Sequence, residues 1–184
     1  MSAEIKAQDI IAQVQAWVKS VVVGENFCPY AAPVLDHVHY QLLASDPHEQ
    51  LQDFVDSCFQ LQAEPAIETA LLIVPAGLED FDDYLDRLEL LQALLEAQGF
   101  LGEFQLASFH PDYCFDGISA DEAENYTNRS PWPIFHLLRE SSLSEALERV
   151  SSPEKIPERN RRHAERLGVV HLRAALQRSK EAKA

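Results

Sequence analysis

The chain has 184 residues, 46% of them hydrophobic, and a formal net charge of −15. This length suits one domain with its own core, residues 1–184, and a hydrophobic share this high excludes a disordered tail. So negative a field repels nucleic acid, whose binding depends on neutralising phosphates, and no apolar run reaches the length of a membrane helix.

Ile10, Val14, Trp17, Val18 and Val21 form one apolar stripe, which predicts an amphipathic helix over roughly 4–21 that Gly24 stops. Pro29 and Pro33 keep the following "GENFCPYAAP" irregular. In "DHVHYQLLA" the alternation of Val38, Tyr40 and Leu42 predicts a strand, with His37 and His39 on its other face. Ser45 can cap a helix opening with Asp46 and Pro47 and burying Leu51, Phe54, Val55, Cys58 and Leu61. "ETALLIVPA" is a continuous apolar run, the mark of a buried central strand. Phe81, Leu85, Leu88, Leu91 and Leu95 define the next helix, which Gly99 ends, and "GEFQLASF" is a third strand. Ser130 with Pro131 predicts a helix over "PWPIFHLLRE", with a strand at "IFHLL" as the alternative. Ser141 or Ser142 would cap a further helix, "LSEALERV". "SSPEKIPERN" reads as a turn region from which Pro157 opens a last helix.

Strand, helix, strand, helix, strand is the pattern of two crossover units. The expected fold is α/β or α+β: a small mixed sheet of three or more strands with crossover helices, plus N-terminal and C-terminal helices. Ligands of open α/β sheets bind beyond the carboxyl ends of strands, where "HPDYCFDG" emerges from the third.

The charge is uneven. Up to residue 150 there are six Lys/Arg against 26 Asp/Glu, and from 151 onward nine against four. The basic helical segment of about 154–184 reads as a helix with a solvated face. The three cysteines, Cys28, Cys58 and Cys114, have no CxxC spacing and are expected to be reduced thiols. The N-terminus lacks the basic start and apolar centre of a signal peptide, which together with the thiols predicts a cytoplasmic protein. No Walker A, GxGxxG or GxSxG motif occurs.

Candidate chemistry gathers between 108 and 140. No Lys or Arg falls between Lys19 and Arg87 or between Arg87 and Arg129, which gives Arg129 and Arg139 weight. On a helix, His136, Arg139 and Glu140 would share a face, and with Arg129 they could hold a carboxylate or phosphate. Equally, the arginines could serve as structural ion pairs. His110, at a strand end, could act as an acid or base with Asp112 orienting it, or be a hydrogen-bonded structural residue. Cys28, in a loop bounded by prolines, could be a nucleophile or a small packing residue. Cys28, His110, Asp112 and His136 also make a mixed ligand set for a divalent metal, without a diagnostic zinc spacing.

The segments "NFCPYA", "FQLASFHPDYCFDG", "NYTNRSPWPIFHLLRE" and "IPERN" together resemble a family of uncharacterised bacterial proteins catalogued as domain of unknown function 1415. The likeness runs from about residue 10 to 170, with four motifs in the family's order. It implies that Cys28, Pro29, His110, Pro111, Asn128, Arg129, Ser130, Pro131, His136, Arg139, Glu140 and Arg159 occupy the family's motif positions. Cys114 and Asp116 stand where the family would carry small or apolar residues. The resemblance names no reaction.

The first functional expectation is therefore a small enzyme acting on an anionic metabolite. His110, Cys28 and Asp112 would be its catalytic groups, and Asn128, Arg129, His136, Arg139 and Arg159 its substrate contacts. A small anionic ligand ranks ahead of a protein partner. The second expectation is a binding or adaptor protein that uses "NRSPWPIFHLLRE", with Trp132 and Phe135, as a surface. The third is a structural plug in which Asn128 caps the turn and the arginines neutralise buried carboxylates.

Overall fold

In the computed structural model, residues 6–148 and 152–184 are described. The predicted helix start at 4–5, the end of "LSEALERV" at 149–150, and Ser151 lie outside them. Four strands form one mixed sheet: β1 (Val38–Leu42), β2 (Thr69–Ile73), β3 (Phe104–Phe109) and β4 (Ile134–Arg139), in the order β1-β2-β4-β3. β1 and β2 are parallel, and β4 runs antiparallel to both β2 and β3. All five residues of β2 are buried, as its unbroken apolar run demands.

The crossover helices α2 (Pro47–Ala63) and α3 (Phe81–Ala97) cover one face of the sheet. There Phe54, Leu61, Tyr84, Leu91 and Leu95 meet Ala70, Leu72, Phe104, Phe135 and Leu137. The other face packs against α1 (Ala7–Trp17) and α5 (Ile156–Lys180). There Val14, Trp17, Leu172 and Leu176 meet Leu71, Ile73 and Ile134. α1 continues as a wider π-helical stretch, Val18–Val23, before Gly24. The three layers with terminal helices match the expected fold class.

Local expectations shift in five places. "PWPIFHLLRE" is not a helix: Ile134–Arg139 is β4, and helix α4 (Glu140–Glu148) begins only after it. The strand wins because its neighbours offer pairing on both edges and both of its faces are apolar, with Ile134 turned to one core and Phe135 and Leu137 to the other. Pro131 and Pro133 bias the residues before them to extended backbone. Ser130 consequently caps nothing; it is buried and its hydroxyl donates to the Trp132 carbonyl at 2.5 Å. Asp46, not Ser45, caps α2, accepting from the N–H groups of His48 at 2.9 Å and Glu49 at 3.1 Å. Ser142 lies inside α4 and donates to Glu68 at 2.7 Å. On α3, Tyr84 is fully buried while Leu85, assigned to the apolar stripe, is 38% exposed. α5 breaks at Gly168, whose φ of 77° and ψ of 155° leave the helical region.

Candidate functional site

The loop after β3 is held by its own polar groups. His110 is fully buried. Its Nδ1 accepts the backbone N–H of Asp112 at 3.0 Å, so its Nε2–H donates to the Leu78 carbonyl, also at 3.0 Å. Both ring nitrogens are spent on backbone, and burial lowers the imidazole pKa, which keeps the ring neutral. Asp112 orients the ring through its main chain, not its carboxylate. The ring packs against Phe81 and Tyr84 of α3, at centroid distances of 5.2 and 5.0 Å.

Arg129 clasps the same loop. Its Nε donates to the Tyr113 carbonyl at 3.0 Å and its Nη2 to the Ala120 carbonyl at 2.8 Å, while the guanidinium lies 4.7 Å above the Tyr126 ring. Asn128 donates from Nδ2 to the Ser108 carbonyl at 3.1 Å, and its own carbonyl accepts the His110 N–H at 3.2 Å. Trp132 is half-buried and donates to Gln13 at 2.8 Å. Ser130, Pro131, Pro133, Ile134, Phe135 and Leu137 of this segment are buried. Its arginines meet backbone carbonyls and not the carboxylates expected of a plug.

His136 and Arg139 do not share a face. His136 donates from Nε2 to the Thr69 hydroxyl at 2.5 Å, because that hydroxyl spends its own proton on the Leu137 carbonyl at 2.6 Å. Burial pushes the His136 imidazole down to about 4. Arg139, on the opposite face, caps the end of α2: Nε donates to the Ile67 carbonyl at 2.8 Å, and Nη2 to the carbonyls of Leu61 and Glu64. The proposed metal set is likewise not assembled. His110 lies on the α3 side of the sheet and His136 on the α1 side, and among the described residues no group of three or more His, Cys, Asp or Glu side chains converges on a metal position.

A different cluster forms where α5 meets the loop after α1. Arg159 donates from Nη2 to the Asn26 carbonyl at 2.7 Å and to the Asn160 side chain at 2.8 Å, and Asn160 donates to the Phe27 carbonyl at 2.6 Å. Glu25 pairs with His171 at 2.8 Å and lies 3.7 Å from His163, whose ring packs edge-on against Phe27. These contacts fix Cys28. Burial raises its thiol pKa, while the N–H groups of Tyr30 and Ala31 and the charge of Arg159 pull it back in part. Beside this junction a groove of about 630 Å3 is lined by Lys155, Ile156, Glu158, Arg159, Arg162 and Arg166. Of these, the motif "IPERN" contains Ile156, Glu158 and Arg159, and only Arg159 was singled out as a ligand contact. The usable signal for the rest was the charge reversal after residue 150.

The motif segments therefore meet in pairs: "NFCPYA" with "IPERN", and "HPDYCFDG" with "NYTNRSPW". Residues 9–174 match the family described as "Protein of unknown function (DUF1415)". The chain belongs to this family. No curated protein and no solved structure matches it. In this DUF1415 chain the His110 ring reaches the α3 side of the sheet, whereas Tyr126 and Trp132 of its partner segment pack with Phe27 in the core on the α1 and α5 side. The His110 pair closes a loop against α3, and the Cys28 pair borders an open groove. Among the described residues no helix is long and apolar enough to cross a membrane.

Proposed function

We propose that this DUF1415 chain binds a small anionic metabolite, a carboxylate or phosphate, in the groove at the start of α5. The observation that carries the reading is the gathering of Lys155, Arg159, Arg162 and Arg166 around one cavity in a chain of net charge −15. An isolated cationic concavity on an acidic body focuses its field on anions that the rest of the surface repels. Arg159 is held by a carbonyl and an amide, so its charge is not neutralised by a carboxylate in direct contact. Glu158 is the acidic residue of the lining and pairs with Arg162 at 2.6 Å and with Arg161 at 3.0 Å. An incoming anion competes with it for Arg162. Nucleic acid fits this reading poorly, since the acidic body would face the rest of the polymer. The unpaired state of Cys28, Cys58 and Cys114 supports the cytoplasmic location that belongs to the same proposal.

Titration calorimetry with pyrophosphate and with citrate tests it. Saturable binding should weaken at least tenfold in Arg159→Gln and in Arg162→Gln, fall with added salt, and strengthen in Glu158→Gln. Absence of heat with both probes, or unchanged affinity in both arginine variants, overturns the reading.

A second, catalytic reading rests on Cys28. The N–H groups of Tyr30 and Ala31 and the Arg159 guanidinium would support a thiolate once formed, against the opposing burial. Covalent labelling of Cys28 by an anionic alkylating agent, iodoacetate, outpacing that by neutral iodoacetamide would favour it. For an ordinary thiol the order is the reverse.

A further inference from the structure

β3 closes one end of the sheet, and its outer edge is only partly blocked. Glu140 donates to the Glu103 carbonyl at 3.0 Å, and Phe104 stands opposite Arg139. In an antiparallel ladder this register turns the N–H and C=O of Gln105, Ala107 and Phe109 toward β4 and those of Phe104, Leu106 and Ser108 outward. Two of the outward groups are closed by the protein itself. The Phe104 N–H donates to the Phe100 carbonyl at 3.0 Å, and the Ser108 carbonyl accepts from Asn128 at 3.1 Å. Between these two plugs the main chain of Leu106 faces outward.

The Leu106 side chain falls on the α3 side of the sheet. With Leu85, Leu88 and Ala93 it lines an apolar groove of about 470 Å3 that Glu89 and Glu96 flank. An unpaired stretch of strand edge thus runs beside an apolar slot with a negative rim. We propose that this edge takes up an extended segment of a partner protein in which apolar residues alternate with lysine or arginine. Main-chain bonds to Leu106 would supply affinity, an apolar side chain would fill the slot, and the basic residues would meet Glu89 and Glu96. Charge decides against a second copy of this chain. Two such edges would bring the same carboxylates together on bodies of net charge −15 each.

The test is an NMR titration of the full-length 15N-labelled chain with a heptapeptide of alternating lysine and leucine. The Leu106 amide should shift saturably and gain protection from exchange. Glu89→Gln with Glu96→Gln should weaken the peptide at least tenfold while the unliganded spectrum stays folded. Of two peptides N-methylated on either the leucines or the lysines, one should lose at least tenfold in affinity and the other keep it, because alternate amides of a paired strand face its neighbour. An unmoved Leu106 amide, or two N-methylated peptides that both bind like the parent, overturns the proposal. So does a peptide-free dimer in sedimentation that Leu88→Asp dissociates, since a second copy would then own the edge.

Discussion

Arg139 donates its Nε–H to the carbonyl of Ile67 at 2.8 Å, tying the last residue of β4 to the segment that leads from α2 into β2. Its Nη2 gathers the carbonyls of Leu61 and Glu64 at the end of α2, so the guanidinium replaces the helix's missing backbone donors. Arg139→Ala should cost about 2–3 kcal/mol, the scale of charge-assisted bonds lost from a partly buried site. Arg139→Lys should recover less than half of that, because an ammonium lacks the planar fork. Urea unfolding followed by circular dichroism reads both, and pyrophosphate affinity should stay unchanged.

His110→Ala should behave as a folding defect. It strands the Leu78 carbonyl and the Asp112 N–H and opens a void beside Phe81 and Tyr84. The expected loss is about 3 kcal/mol, seen as a lower thermal midpoint. A variant as stable as the parent would show that these bonds do not hold the loop.

The depressed pKa of His136 gives stability a sign with pH. Above pH 6.5, the ordinary value, the ring is neutral both folded and unfolded and contributes nothing. Between pH 6.5 and about 4 the unfolded chain takes up a proton that the folded one refuses, so stability falls as pH falls. His110 adds in the same direction. For His136 the loss amounts to about 2 kcal/mol by pH 4.5, discounted for its partial contact with solvent. His136→Asn should flatten the fall when unfolding free energies are compared between pH 7 and 4.5.

Alkylation should rank the cysteines by burial. Cys58 is 1% exposed and its thiol is pushed up to about 12, so it should react last with iodoacetamide at pH 8. Cys28 should react ahead of Cys58. Removing the nearby charge in Arg159→Gln should slow Cys28 several-fold, as read by peptide mass mapping.

β2 and the crossover helices were legible in the sequence because their signals are local: "ALLIV" is apolar throughout, and α2 and α3 repeat at helical spacing. β4 ranked only second there, since two prolines, a serine and apolar residues three and four apart also spell a helix start. What decides for the strand is pairing with residues 65 and 29 positions away at His136, which no window of sequence contains. The same distance effect governs the site. His110 stands at its strand end as expected, but the carbonyl that ties it down belongs to Leu78, 32 residues back. Cys28 and Arg159 looked unrelated except through the family motifs. Lys155, Arg162 and Arg166 read as a solvated helix face because nothing local marks the groove they border.

The insertion of β4 between β2 and β3 has a cost during synthesis. β2 and β3 share no bonds with each other, so a nascent chain that has reached residue 110 holds three strands but no complete sheet. Until residues 134–139 leave the ribosome, β2 shows a largely apolar strand with one edge unpaired, the kind of surface that captures other chains. The interval between making β3 and making β4 is therefore the one in which the edge of β2 that β4 later covers stands open.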